Sequence, residues 1–304
     1  MPELPEVQTI VSELDNKIKN KAIKSVEVFK FQSVRPMSKK FIQGVKGRKV
    51  LGVKRRAKMI IIELSGKKYL LIHLKMTGQL VYQSKSGKGV SGGHPIPVSA
   101  KVKQIYAYPM SGGVKPVGGL PSKFTRAQFD FSDGSHLYFN DIRRFGWIKF
   151  VDEKSYQEET GKYGLEPLSK DFTLTAFKEA LKRYSNRKIK QVLMDQSLIA
   201  GIGNIYADEA DFAAHVMPTR QAKTLTAKEI SDLHKAIPRI LKLAVKMKGT
   251  SADTYVTTSG EEGNMLKHLK VYGRKGEKCR GCPGDVHWMK LAGRGTHYCP
   301  LCQK

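Results

Sequence analysis

The chain has 304 residues, with 54 Lys or Arg against 27 Asp or Glu, for a formal net charge of +27. Such an imbalance points to a polyanionic partner, nucleic acid ahead of an anionic membrane surface. No stretch approaches the roughly 18 apolar residues of a bilayer span, and no basic-then-apolar leader opens the chain; membrane-embedded and exported classes are excluded, leaving a soluble, cytoplasmic protein that faces nucleic acid.

The chain opens Met1-Pro2-Glu3-Leu4-Pro5-Glu6. Removal of Met1, which so small a residue as Pro2 permits, leaves a secondary amine at the terminus. That amine is nucleophilic when unprotonated and forms an iminium with an aldehyde-level carbon. A free α-amine titrates at about pH 8, and Glu3 beside it can serve as acid or base. The plainer reading has Pro5 opening a helix while the glutamates offset its dipole. The spacing Val7, Ile10, Val11, Leu14, Ile18 predicts that helix.

Period-two patterning follows. Ile23–Val28 and Lys49–Arg55 read as strands, and Met59–Leu64 with Tyr69–Leu74 as a hairpin. Arg126–Phe131 and His136–Asn140 flank an Asp133-Gly134 turn, and Gly146–Val151 adds a strand. This pattern predicts a β-sandwich or barrel. No acid occurs from Leu64 to Phe129, which argues for one positive surface carrying Lys67, Lys75, Lys123 and Arg126. Residues 84–123, with eight glycines and five prolines, read as an inserted loop with one strand at Val102–Tyr108. His73-Leu74-Lys75-Met76-Thr77-Gly78 ends a strand on a turn, and Asp141-Ile142-Arg143-Arg144-Phe145-Gly146 joins two strands; an arginine and an aromatic at a loop tip can enter a base stack. Lys58 reads as a plain surface lysine unless the fold brings it to Pro2.

Leu165–Ser169 reads as a linker into a helical region. Leu174, Phe177, Leu181 and Tyr184 mark one helix, Ile189–Leu193 a second and Ile205–Phe212 a third. Thr226 caps a fourth that reaches about Met247, with a kink at Pro238. Ala200-Gly201-Ile202-Gly203-Asn204 precedes the third helix and reads either as a phosphate-binding turn or as a tight turn with Asn204 as N-cap. All four cysteines fall in the last 26 residues, as Cys279-x-x-Cys282 and Cys299-x-x-Cys302 with sixteen residues between the pairs. Two such knuckles make a tetrahedral thiolate cage for one structural Zn2+. Arg294, between Gly293 and Gly295, can reach a phosphate with both arms of its guanidinium.

Taken in order, these segments, together with Val271-Tyr272-Gly273-Arg274-Lys275-Gly276, resemble the formamidopyrimidine-DNA glycosylases, a base-excision repair family that includes the endonuclease VIII enzymes. The resemblance implies an α+β multidomain fold: an N-terminal β-sandwich over 1–164, a helix-two-turn-helix domain over 165–262 and a zinc finger over 263–304. It also implies a bifunctional glycosylase and AP lyase acting as a monomer on double-stranded DNA with oxidised bases or abasic sites. In that scheme Pro2 attacks C1′ and Glu3 is the general acid. Lys58 donates a proton or contacts the flanking phosphate, and Arg294 holds a phosphate during δ-elimination. Glu6, His73, Met76, Arg143, Phe145, Asn204 and Tyr272 belong to the DNA-binding set, with Glu6 supporting the site and Met76, Arg143 and Phe145 filling the gap left by the damaged nucleotide. Leu4 favours the oxidised-purine branch, and Thr250–Met265 resembles the loop that covers a flipped 8-oxoguanine there. Two departures stand out: Asp211 occupies an ordinarily apolar position, and Lys75 replaces a common glycine. The open alternatives are an endonuclease VIII-like enzyme for oxidised pyrimidines, a catalytically silent DNA-binding homologue, and an RNA-associated zinc-ribbon protein.

Overall fold

The computed structural model describes residues 1–86, 89–93, 120–250 and 263–304. Most of the inserted loop, including the strand expected at Val102–Tyr108, and residues 251–262 of the expected covering loop lie outside that set. The chain divides into two compact units. One joins Met1–Thr160 to Lys248–Asn264, and the other joins Gly161–Met247 to Met265–Lys304.

The first unit begins with α1 (Leu4–Ile18) and holds β1 (Ile23–Val28), β2 (Val34–Arg35), α2 (Lys39–Val45), β3 (Val50–Arg56), β4 (Met59–Leu64), β5 (Lys68–His73), β6 (Gly78–Gln83), β7 (Gly89–Gly93), β8 (Thr125–Phe131), β9 (His136–Asp141), β10 (Trp147–Asp152) and α3 (Glu153–Gly161). Two five-stranded sheets form, in the orders β1-β8-β9-β6-β7 and β2-β10-β5-β4-β3. Phe129, Leu137, Phe139 and Leu80 of the first sheet share one core with Ile60, Ile62, Leu70, Ile72 and Ile148 of the second, and the buried stripe of α1 joins them. A sandwich follows because alternate residues of each strand face the same interior.

Several elements differ from the sequence reading. β6 is buried along nearly its whole length, so it shows no alternation. α3 buries no residue and therefore has no apolar stripe. β7 lies inside the segment read as loop, paired to β6 from Gln79↔Gly93 to Gln83↔Gly89. Arg126, counted in the positive surface, is buried, with Nε donating to Asp141 O at 2.8 Å.

The second unit contains α4 (Leu174–Lys182), α5 (Ile189–Met194), α6 (Asn204–Ala213), α7 (Ala227–Lys246), β11 (His287–Leu291) and β12 (Arg294–Tyr298). α4 stops before Tyr184, which is exposed. α7 starts with a capping box between Thr226 and Glu229 and continues through Pro238. The supposed linker is fastened at its start, where Leu165 N donates to Leu198 O and Ala200 N to Leu165 O, both at 2.8 Å. Phe212 of α6 packs with Val271, Val286, Cys279 and Cys299, which unites the helices with the cysteine module. No helix among the described residues is long and apolar enough to cross a membrane.

Candidate active site and nucleic-acid interface

In the first unit the amino terminus is seated at the start of α1. Glu3 is the N-cap, in a reciprocal capping box with Glu6. Glu3 N donates to Glu6 Oε2 at 2.9 Å, and the other Glu6 oxygen accepts Thr250 N at 2.8 Å and Thr250 Oγ1 at 3.1 Å. Gly249 makes this approach feasible. Its φ is +83°, and a Cβ there would stand 2.8 Å from Glu6 Cγ. Glu6, expected to support the site, is a buried brace, and the Gly249-Thr250 latch is a feature the sequence reading missed. Pro2 and Glu3 are buried, whereas Met1 is 53% exposed. Loss of Met1 therefore opens the Pro2 nitrogen without disturbing packed residues.

Lys58 is only 6% exposed, not a surface lysine. It follows Ala57 in the two-residue turn that joins β3 to β4, closed by Arg56↔Met59. Ala57 has φ +53°, and Arg55 holds the turn, donating from Nη1 to Ala57 O at 2.8 Å and from Nε to Gln8 Oε1 of α1 at 3.1 Å. At the end of β5, Lys75 N donates to His73 Nδ1 at 3.0 Å. That bond makes Nδ1 the acceptor and puts the ring proton on Nε2. Burial, with the charges of Lys75 and Lys58 added, lowers the His73 pKa to about 3, so the ring is neutral at physiological pH.

Buried Asp141 draws two loops together. It accepts from Thr77 Oγ1 and, at 2.7 Å, from Gly146 N, while Arg143 N donates to Thr77 Oγ1 at 3.0 Å. Outside this mount stand Met76, 42% exposed, and Phe145, 53% exposed. The Arg143 guanidinium lies 4.9 Å from the Phe145 ring centre, and its Nη1 is 3.5 Å from Met76 Sδ. The three side chains expected to fill a vacated stack are therefore one exposed cluster. Lys75, at φ +52°, adopts the left-handed conformation that a glycine takes more readily.

In the second unit, Gly203 rather than Asn204 is the N-cap of α6. Asn204 Nδ2 donates to Gly295 O at 2.9 Å, and Lys190 Nζ donates to the same oxygen at 3.0 Å and to Thr296 Oγ1 at 2.7 Å. Lys190 is buried and pairs with Asp208 Oδ1 at 2.6 Å. These bonds hold the turn Ala292-Gly293, both at positive φ, closed by Leu291↔Arg294. Arg294 is exposed at its tip. Glu209 organises the Tyr272 turn by accepting the N–H groups of Lys270, Val271 and Tyr272 at 2.8–3.0 Å. Sequence reasoning gave no role to Lys190, Glu209 or Asp141, because a buried charged residue reads like any surface one until its partners are known.

The four cysteine Sγ atoms lie within 4.8 Å of one another, with Cys279–Cys302 at 3.8 Å and Cys282–Cys299 at 3.4 Å. A tetrahedron of ~2.3 Å zinc–sulfur bonds spaces its sulfurs by about 3.8 Å, so the donor set fits zinc and leaves no ligand position open.

Asp211 is 0% exposed, and neither carboxyl oxygen has a hydrogen-bond partner among the described residues. Burial first, then the Asp208 charge, raises its pKa well above the usual range, against the pull of Lys190. The unfolded chain releases this proton at about pH 4. Stability is therefore fully present below that pH and is lost as pH rises toward the folded-state pKa. Asp211→Leu is expected to add about 1–3 kcal/mol at neutral pH and to flatten the decline. Denaturant titrations from about pH 4 to about pH 8 check this; a variant that melts no later than the parent contradicts it.

The formamidopyrimidine-DNA glycosylase N-terminal domain family matches residues 1–148, and the formamidopyrimidine-DNA glycosylase H2TH domain family matches residues 163–256. The formamidopyrimidine-DNA glycosylase of Carboxydothermus hydrogenoformans is 39% identical over 305 residues, covering 100% of both chains. That of Pelotomaculum thermopropionicum is 36% identical over 307 residues, covering 100% of this chain and 99% of the relative. Among solved structures, a complex of the Lactococcus lactis enzyme with abasic-site DNA superposes with a TM-score of 0.82 at 31% identity, covering 99% of each chain. A complex of the wild-type L. lactis enzyme with DNA containing N7-benzyl-Fapy-dG gives 0.82 at 31% identity over 100% of each.

Proposed function

We infer, for a chain that belongs to the formamidopyrimidine-DNA glycosylase family and is a DNA glycosylase of DNA repair, a bifunctional action on oxidised purines. The substrates are 8-oxoguanine and formamidopyrimidines in duplex DNA, and the chemistry runs through an iminium on Pro2. The nucleotide is first extruded, at a cost of a few kcal/mol, because C1′ is unreachable within the stack. The Pro2 nitrogen lone pair then forms the bond to C1′ as the glycosidic bond breaks; the base departs with the electrons of the glycosidic bond and takes up the proton that the Pro2 nitrogen sheds. Glu3 delivers a proton to the ring oxygen as the sugar opens, leaving the C1′ iminium. Lys58 supports the flanking phosphate and the proton transfers. Loss of the C2′ proton expels the 3′ phosphate, and a second elimination expels the 5′ phosphate. His73, Asn204, Tyr272 and Arg294 hold phosphates, and one Zn2+ on Cys279, Cys282, Cys299 and Cys302 supplies fold, not chemistry.

One observation carries this reading: Pro2 and Glu3 are buried together at the N-cap of α1, beneath an exposed Met1. The L. lactis enzyme's complexes with abasic-site and N7-benzyl-Fapy-dG DNA support the substrate class. Substrate choice is tested by excision from 8-oxoguanine:C and thymine glycol duplexes. Faster turnover of the second assigns the enzyme to oxidised pyrimidines instead.

The exposed cluster gives a second test. Replacing Met76, Arg143 and Phe145 together by alanine removes the compensation for a broken stack, so excision should slow by about 10- to 100-fold. Cleavage of a single-stranded abasic substrate should change little, since no stack needs filling. An equal loss on both substrates would assign these residues to general binding.

A further inference from the structure

The hairpin of the cysteine module has a face that the scheme above leaves unused. Trp288 stands opposite His297 and Lys290 opposite Gly295, and paired residues share a face. Met289 and Leu291 stand opposite Thr296 and Arg294 on the other side, where Leu291 and Thr296 are buried. Trp288 is 44% exposed. Its indole lies across Gly295, where a Cβ would come 2.7 Å from Trp288 Nε1. Lys275 Nζ is 5.4 Å from the Trp288 ring centre.

This face continues into the turn read above as a phosphate contact. His297, opposite Trp288, meets the Tyr272 ring edge-on at 4.9 Å, and Lys275 follows Tyr272 in the same turn. Lys275 and Lys290 are exposed. Two nearby acids are engaged elsewhere, Glu277 with Arg274 and Asp285 with Lys278, each at 2.9 Å. A singly exposed aromatic needs no explanation. An indole beside exposed cations, adjoining a phosphate contact, matches the way aromatic and basic side chains track a nucleic-acid strand.

We propose that Trp288 and Lys275 form an accessory contact with the DNA flank, the lysine on a backbone phosphate and the indole against the adjoining nucleotide. The contact rests on the DNA-repair reading and extends its footprint beyond the phosphate held by Tyr272. It is independent of sequence, because every nucleotide presents a flat surface and a charge.

The test uses the full-length zinc-loaded protein and duplexes carrying a central tetrahydrofuran abasic analogue. One duplex is trimmed to the core footprint, and the other is extended by half a helical turn on each side. Trp288→Ala and Lys275→Ala are each expected to weaken binding to the extended duplex by about tenfold and to leave the trimmed one unchanged. Excision at saturating DNA stays at the parent rate. The extended duplex also quenches a tryptophan emission that Trp288→Phe lacks. Parent-like affinity on both duplexes, or emission from Trp288 that ignores the extension, overturns the contact. Sedimentation that shows self-association lost in Trp288→Ala, with DNA affinity intact, gives the patch to a second copy of the chain and equally overturns it. Failure of the repair reading looks different, since the unaltered protein then neither binds the analogue nor excises a lesion.

Discussion

Borohydride is expected to trap a covalent complex between this protein and abasic duplex DNA, and the trapped species should disappear when Met1 is retained. In the retained form the Pro2 nitrogen is an amide, with its electron pair delocalised into the carbonyl, so no iminium forms and nothing is available for reduction. The expected loss of single-turnover lyase rate is on the order of 10³-fold or greater, the scale seen when a nucleophile is removed. Binding to a duplex with a non-cleavable abasic analogue should be unchanged, because Met1 is exposed and its presence leaves the brace from Glu6 to Thr250 intact. Pro2→Gly is the subtler variant. Its primary amine gives a neutral imine that must gain a proton before it withdraws electrons, whereas proline gives a cation at once, so trapping should weaken strongly while binding persists. Mass spectrometry of the same sample correlates trapping with the processed fraction. A protein that traps normally with Met1 in every molecule would end the assignment of Pro2, and undiminished binding without trapping in the processed form would favour a silent homologue.

The second large effect concerns the metal. Structural zinc supplies about 10–16 kcal/mol at neutral pH in small modules, comparable with the ~5–15 kcal/mol that stabilises an entire domain. Burial first, then the neighbouring thiols, raises the Cys302 pKa, and a dication held by the four sulfurs would offset that cost. Cys299→Ser or exhaustive chelation should therefore unfold the module and loosen α6 with it. The route is direct: Phe212 packs on Cys279 and Cys299, Gln303 Nε2 donates to Val216 O at 2.8 Å, and Met217 N donates to Lys304 O at 2.8 Å. Melting should drop sharply, one zinc per chain should be released, and specific DNA binding should vanish. Chelated protein that melts and binds DNA as before would show that the cysteines hold nothing of consequence.

Much of this was legible in the chain because it is local. The apolar spacing of α1, the Asp133-Gly134 turn and the doubled Cys-x-x-Cys are each settled within a few residues. The placement of Met76 and Phe145 at strand-end turns was legible from the glycines near them, while the sequence left open whether they pack inward; both are exposed. What escaped is non-local. Glu6 looks like a dipole partner until Thr250, 244 residues away, claims its second oxygen. Lys58 looks solvated until Arg55 folds its turn onto Gln8. Lys190 and Asp208 carry charges that composition counts as surface, yet each neutralises the other in the interior. Asp211 was noticed as an oddity, and its cost became visible only when no donor reached it.

The two loops fixed on Asp141 have a consequence for how recognition can change. Thr77 Oγ1 and Gly146 N donate to that one carboxylate and Arg143 N donates to Thr77 Oγ1 in turn, so the tips do not depend on the identity of the side chains they display. The arrangement acts as a socket with interchangeable bits. New combinations at 76, 143 and 145 can be screened for altered preference toward the opposite base without refolding the sandwich, whereas any change at Asp141 dismantles the socket itself.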